Sequence, residues 1–311
     1  MLLSIITPSF RQLDWLRVCI ASVRDQVGSG VQVEHIVQDA GSEGIAEFAR
    51  EHGGALVRDG TAVEAPADGM DYRLVIYSER DGGMYDAINR GFARARGEVV
   101  AYLNCDEQYL PGALKAVKAR FEADPAFEML FADAVVVRED GSFLCFRKAQ
   151  VPFRDQLWFR MPVLSCATFL RRSAFVDKGV RVDETKNILG DVIWIMRAQE
   201  ARLKMGVLRR FTSIFTETDG NLGVGGAADR EFLDLRRRMP AHVRSFLPAY
   251  EFYHKVRSLL AGTRSHPAFD YQIFTKQSPV KRQCIHVAHP TAVWKGRTET
   301  DKNVLSQTEQ A

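Results

Sequence analysis

The chain has 311 residues, 46% hydrophobic and 26% charged, with a net charge of +3; that is the make-up of an ordinary globular protein with room for one sizeable α/β domain and an appendage. No apolar run approaches the roughly 20 residues a membrane-spanning helix needs, and no basic stretch leads into an apolar core with a cleavage site, so a cytoplasmic setting is expected. The cysteines, Cys19, Cys105, Cys145, Cys166 and Cys284, lack metal-ligand spacing, which excludes a zinc site and predicts free thiols, mostly buried.

Apolar runs alternate with helical patterns, the order of βα units forming a largely parallel sheet. Residues 2–7 read as the first strand, stopped by Pro8. Leu13, Leu16, Ile20 and Val23 carry the spacing of an amphipathic helix over 13–26. A second strand over 33–38 runs into Asp39-Ala40-Gly41-Ser42, a turn with helix-cap chemistry, and a short helix over 45–52. Strands over 55–57 and 74–78 follow, then a helix over 85–96 ended by Gly97. Residues 99–103 form a short, wholly apolar strand of the kind found at the centre of a sheet. A helix over 111–121 with Pro in its first turn, a strand over 128–138 and a hairpin through Asp140-Gly141 to 142–147 come next. Helices over 173–178 and 191–203 precede a late strand, at either 207–210 or 213–216.

Beyond residue 229 the character changes. Phe232, Leu235, Met239, Val243, Phe246, Tyr250, Phe252 and Val256 predict one or two amphipathic helices broken by Pro240 and Pro248, and the last dozen residues read as disordered. Residues 1–229 are therefore taken as the main domain and 230–311 as a basic, helical extension. That extension holds 14 basic and 7 acidic side chains, while the rest of the chain is slightly acidic. Such a tail can meet anionic lipid, a phosphorylated acceptor or nucleic acid, or can simply present a solvated face. The triplet Arg236-Arg237-Arg238 beside Phe232, Leu233 and Leu235 admits a membrane-surface helix, although a helix packed on the domain fits it better.

The strongest local feature is the apolar strand that runs straight into Asn104-Cys105-Asp106-Glu107. Ligands collect beyond the carboxyl ends of strands in open α/β sheets, and acidic residues there can hold a divalent cation against a diphosphate. Taken alone, the tetrapeptide reads equally as a turn ahead of the next helix. It has company: Ser4-Ile5-Ile6-Thr7-Pro8-Ser9-Phe10, then Glu34 to Ser42, then the long run from Ser78 through Asp81-Gly82-Gly83-Met84-Tyr85-Asp86 and Asn89 to Glu107. Over roughly residues 1–220 the chain resembles a family 2 inverting glycosyltransferase of the GT-A fold, similar to bacterial enzymes that assemble capsule, exopolysaccharide or lipopolysaccharide.

That resemblance implies a mostly parallel α/β sheet and transfer of a sugar from a nucleotide-diphospho-sugar, UDP-linked in the simplest case, to a saccharide or lipid-linked acceptor. Nucleic acid is not expected as a partner; a place at the inner membrane face would give the basic tail a use, and whether the tail docks there is left open. Thr7, Pro8 and Ser9 would line the nucleotide pocket, Asp39 would accept from the base with Ser42 beside it, and Asp81 and Gly83 would approach the nucleotide, with Asp86 and Asn89 on a helix face turned to the cleft. Mg²⁺ or Mn²⁺ would rest mainly on Asp106, helped by Asn104 or Glu107, since Asn104 stands where the family's Asp-x-Asp motif has its first acid. Asp191, opening the helix at Gly190-Asp191-Val192-Ile193-Trp194, would be the general base; Trp194 is assigned to the core. Ser165 and Cys166 stand where relatives often carry His-Gln, and residues 216–226 read either as a loop closing over substrate or as a solvent loop. Two alternatives stay open: a catalytically impaired relative acting as a binding or scaffold protein, and a sugar nucleotidyltransferase, which the glycine-free loop after the first strand disfavours.

Overall fold

The computed structural model describes residues 1–28, 30–58, 60–62, 71–218 and 226–294, with side chains from 230 onward in the last segment. The first half is built from β1 (Leu2–Ser9), α1 (Leu13–Arg24), β2 (Gln32–Asp39), α2 (Ile45–Glu51), β3 (Ala55–Arg58), β4 (Thr61–Ala62), β5 (Tyr72–Ser78), α3 (Met84–Arg94), β6 (Val99–Tyr102) and β7 (Gln108–Tyr109). The second half follows with α4 (Ala113–Ala123), β8 (Met129–Arg138), β9 (Phe143–Arg147), β10 (Thr168–Arg171), α5 (Arg172–Val176), α6 (Gly190–Glu200) and β11 (Met205–Glu217). Helices α7 (Gly226–Arg237), α8 (Ala241–Ser245) and α9 (Leu247–Leu260) then lead to β12 (Phe269–Thr275) and β13 (Ser278–Val287).

The described strands before α7 form an eleven-stranded sheet ordered β4-β3-β5-β2-β1-β6-β10-β8-β11-β7, with β9 on β8. Strands β3, β5, β2, β1 and β6 are parallel, so their carboxyl ends share one edge; β10 then runs antiparallel to both β6 and β8. Strand β1 continues through Pro8 to Ser9, against expectation. Its pairing with β6 ends at Ile6, so beyond that point Pro8 faces only β2, opposite Gln38, and its missing N–H breaks no ladder on the other side. Helix α4 starts two residues after Pro111, behind Gly112 at φ 69°. The two alternative late strands are one continuous strand, β11, whose register slips between Leu208 and Ser213.

Helix α3 lies directly on β1, and the close approach requires Gly91: a Cβ there would stand 2.5 Å from Ile6 Cγ2. Phe92, Tyr102 and Trp194 interlock behind it, with ring centres 5.9–6.5 Å apart, so Trp194 is core, as expected. The cysteines are free, and all but Cys284 are buried.

The extension corrects its expected helical character. Helices do occupy 226–260, but residues 269–287 form an antiparallel hairpin. Alternating exposure along β12 is a strand pattern, with Tyr271, Ile273 and Phe274 turned inward. Tyr271, Ile273 and Val287 share a cluster with Leu110, Val135, Val137 and Ile214 of the main sheet. The Gln108 amide pairs with the backbone of Phe274 in both directions, at 3.0 and 2.8 Å. No helix among the described residues is long and apolar enough to cross a membrane. The expected disordered end lies within 295–311 and most of the expected loop within 219–225, both outside the described residues.

Candidate functional site

Where β1, β2, β5 and β6 end, the chain leaves the sheet at one edge and encloses a cavity of about 610 Å³, the position at which open α/β sheets bind ligands. Pro8, Ser9 and Phe10 continue β1, Ala40 follows β2, Arg80 and Asp81 follow β5, and Asn104, Cys105 and Asp106 follow β6. Gly83, Met84, Tyr85 and Ala87 of the α3 start, Tyr102, Ser165, Asn187, Ile188, Asp191 and Phe215 complete the wall. Of the residues singled out in the sequence, Pro8, Ser9, Asp81, Gly83, Asn104, Asp106 and Asp191 meet at this one cavity.

The other sequence candidates stand behind the wall. Thr7 is buried, its hydroxyl 2.9 Å from His35 Nε2 and 3.5 Å from Cys19 Sγ. Asp39 is buried too: Oδ2 accepts from the N–H groups of Gly41 and Ser42 and Oδ1 from the Ser42 hydroxyl at 2.7 Å, which is the turn-capping geometry. Ser42 in turn accepts the Arg11 N–H. Asp86 accepts from Gly82 N–H at 2.7 Å and pairs with Arg90, so its carboxyl is turned back on the chain just ahead of α3 and does not line the cavity. Asn89 also faces away. Its amide donates to Val182 O and Glu184 and accepts from Val182 N–H, clamping the loop that leads toward α6. Glu79, in the same motif, forms ion pairs with Arg90 and Arg94.

Gly83 adopts φ 120°, in the region that favours glycine, and donates its N–H to Asp81 Oδ1. Burial pushes the Asp81 carboxyl up, with Asp86 and Asp39 adding to the rise and the Gly83 N–H opposing it. Asp106 is pushed up to about 6, again by burial first, with its own backbone N–H and Lys276 holding it down. Glu107 is 1% exposed and lies beneath the cavity floor: Oε2 accepts the Asn104 N–H at 2.8 Å, and burial beside Asp106 drives its carboxyl well up. Asn104 Oδ1 and Glu107 Oε1 are buried without a hydrogen-bond partner. Among the described residues no three His, Cys, Asp or Glu side chains could hold a metal ion. One carboxylate and one unpartnered amide oxygen fit a hard cation that takes its remaining ligands from phosphate and water; Glu107 reaches it only through Asn104.

Asp191 stands in the first turn of α6, which packs in the same core cluster as α3. Gly190 allows the turn to sit on Tyr85, since a Cβ at this position would come within 2.5 Å of the Tyr85 ring. The preceding loop is held from two directions. Tyr85 donates its hydroxyl to Ile188 O at 2.6 Å, and Glu231 of α7 accepts three successive N–H groups, from Asn187, Ile188 and Leu189, at 2.7, 3.1 and 3.0 Å. Arg80, Tyr102, Asn187, Ile188, Phe215 and Glu231 escaped the sequence reading as individual site residues. Arg80 had a signal in its place between Glu79 and Asp81; Glu231 had none, because its partners are backbone groups. Ser165 lines the cavity, whereas Cys166 is buried and its carbonyl accepts from the Ser213 hydroxyl.

Comparison with known proteins bears on the family and the fold. An uncharacterized glycosyltransferase of Mycobacterium tuberculosis is 36% identical over 107 residues, 34% of this chain and 34% of the relative. The O-antigen biosynthesis protein RfbC of Myxococcus xanthus is 29% identical over 141 residues, 45% of this chain and 10% of that protein. The match thus spans about a third of the mycobacterial relative and less of the other. In structure, S. aureus TarS 1-349 in complex with UDP-GlcNAc superposes with a TM-score of 0.55 at 15% identity, over 76% of this chain and 64% of that one. This likeness carries the fold, and the expected GT-A architecture is met. A family profile described as Glycosyl transferase family 2 matches residues 4–175, more than half of the chain, and the protein belongs to that family.

Proposed function

We propose that the protein is an inverting glycosyltransferase that moves a sugar from a nucleotide-diphospho-sugar to a hydroxyl of a saccharide or lipid-linked acceptor in envelope polysaccharide biosynthesis. The observation that carries this reading is the single cavity in which Asp191 faces the Asn104–Asp106 turn, Ser9 and Asp81. An inverting displacement needs one base on the acceptor side and charge stabilisation on the leaving-group side. Asp191, at a helix start, is the base and takes the acceptor's proton as the oxygen attacks the anomeric carbon. Arg80 and the Gly83 backbone face the diphosphate. Asp106 and Asn104 would hold Mg²⁺ or Mn²⁺, which supplies countercharge for the departing diphosphate.

A UDP-sugar is the donor assigned; the similarly folded TarS was solved with one. The uracil rests against Pro8–Phe10 and Ala40. Its N–H reaches Asp39 only when the Ser42 hydroxyl turns away from Oδ1. Envelope polysaccharide as the destination is supported by the O-antigen relative. The test is calorimetric donor binding alongside sugar transfer, with Mn²⁺ and with EDTA, on wild type and Asp191→Asn. Asp191→Asn is expected to bind donor within a few-fold of wild type and to lose transfer by about 10²-fold or more. Transfer that survives the substitution, or a wild type that binds no nucleotide sugar, sinks the proposal.

A further inference from the structure

Away from the strand ends, the inward side of α9 borders a second, smaller hollow of about 170 Å³. Its described wall holds Lys148, Arg160 and Arg264 among its cations and no Asp or Glu. Lys148 donates to Gly262 O at 3.1 Å and to Ser265 O at 2.7 Å, which leaves it one N–H group and its whole charge. Arg160 and Arg264 form no ion pair among the described residues. A guanidinium stays charged at any ordinary pH, so nothing in the wall compensates these two. Burial first, with Arg160, Arg257 and Arg264 adding to it, pushes His254 of α9 down to about 4, so its ring is neutral.

The neutral ring has one tautomer open to it. Gln156 Oε1 accepts the Phe153 N–H at 3.2 Å, which turns the Gln156 amide nitrogen toward His254 Nδ1 at 3.0 Å. Nδ1 therefore accepts, and the ring proton sits on Nε2, 3.5 Å from Ser258 Oγ. Ser258, 5% exposed and in the wall of the hollow, accepts from the ring and keeps its own O–H proton for another partner. Gln150, in the same wall and also 5% exposed, presents the reverse case. Its Nε2 donates to Arg257 O at 3.3 Å, while its Oε1 is buried with no partner, which is costly unless a donor arrives. The frame around these groups is fixed. Thr263 donates its N–H and its hydroxyl to Ser258 O at 3.0 and 3.1 Å, and Arg257 ties α9 to Val151 O. A merely solvated basic face needs neither the waiting proton nor the unmet acceptor.

We propose that this hollow binds a phosphate ester with a neighbouring hydroxyl, that is, a polyol or sugar phosphate. Arg160, Arg264 and Lys148 take the phosphoryl oxygens, the Ser258 hydroxyl adds a donor, and Gln150 Oε1 accepts the hydroxyl of the ligand. That last contact sets the class. Sulfate brings no proton to Gln150, and a simple alkyl phosphate has lost its second proton above about pH 6. The hollow shares no wall residue with the larger cavity, so the site stands apart from the transfer reading.

The experiment is calorimetric titration of the full chain at low salt with glycerol 3-phosphate, methyl phosphate and sulfate. Donor binding and melting are followed in parallel, and phosphatidylglycerol vesicles form a further arm. Wild type is expected to bind glycerol 3-phosphate at least about tenfold tighter than the other two anions, the difference made by one buried acceptor left unpaired. Arg160→Gln with Arg264→Gln should weaken that binding at least about tenfold. Both side chains are exposed, so this variant should melt with wild type and keep donor binding. Gln150→Leu should erase the preference over methyl phosphate; if that buried change unfolds the chain, the arginine variant still decides. Absence of glycerol 3-phosphate binding overturns the proposal, as does equal affinity for the three anions. So does binding that the arginine variant retains, which would place the ligand elsewhere. Binding of the vesicles without the soluble ester also overturns it, in favour of a lipid headgroup.

Discussion

Replacing Glu231 with alanine removes one carboxylate that accepts three consecutive backbone N–H groups just ahead of α6. Such a concave run of N–H groups is an anion nest, and hydrogen bonds to an ionised acceptor are about twice as strong as neutral ones. Asn187 is exposed and its N–H can turn to water, so that bond contributes little; Ile188 is half-buried and Leu189 is 3% exposed. Counting about 1 kcal/mol for each of these two gives ~2 kcal/mol against the ordered loop, or about a 30-fold fall in the equilibrium constant for its ordering. Asp191 follows two residues after Leu189, so kcat for transfer is expected to fall, by up to about 30-fold, while the donor, held mainly from the strand ends, binds within about threefold of wild type. Glu231→Gln should fall between the two, because its amide nitrogen must face one N–H donor to donor. Amide exchange offers a direct readout: the protection of Ile188 and Leu189 should drop while that of β1 and β6 does not. Wild-type kcat in Glu231→Ala, or equal loss of protection across the sheet, would refute the idea that α7 positions the base.

Other consequences follow from packing and charge. Gly190→Ala drives a Cβ to 2.5 Å from Tyr85 and 2.7 Å from Asp183 O; overpacking of this kind costs about 1–3 kcal/mol, so the melting temperature should fall and transfer with it, and an unchanged activity would show that the α6 start tolerates movement. His35 is buried between Thr7 and Tyr72, and burial, aided by Arg24, pushes it down to about 3. The unfolded ring takes its proton near pH 6.5, so stability is complete above that pH and is lost as pH falls toward 3; about 2 kcal/mol should go between neutral pH and pH 5. Urea titrations of wild type and His35→Gln should show that slope flattened in the variant, and parallel slopes would assign it to other groups. Gln108→Leu strands the Phe274 N–H and carbonyl in a buried position, which should cost about 2–4 kcal/mol and expose the β12–β13 hairpin to limited proteolysis; an equally resistant hairpin would show that its apolar contacts suffice.

Much of the fold was legible because local patterns and tertiary need agree. The 3.6-residue spacing of Leu16, Ile20 and Val23, the apolar run ending at Asn104 and the motif from Ser78 to Asp86 each announce an element and its place. The hairpin at 269–287 was not legible, because its outward face is strongly polar and its inward residues are sparse. The hydrogen bonds that Asp39, Asp86 and Asn89 make inside the protein were hidden for a related reason: an acid or amide bonded to nearby backbone has the same sequence signature as one that meets a ligand.

By itself, then, the sequence determined the α/β order, the family resemblance and the position of Asp106 beyond a central strand. Only the tertiary structure decided which polar residues share the cavity and which are spent inside the wall. It also decided that a carboxylate from α7 holds the loop before Asp191, and that Arg160 and Arg264 share a hollow with α9. Those are contacts between segments distant in the chain, made to backbone atoms or left to solvent. Residue periodicity carries no record of either.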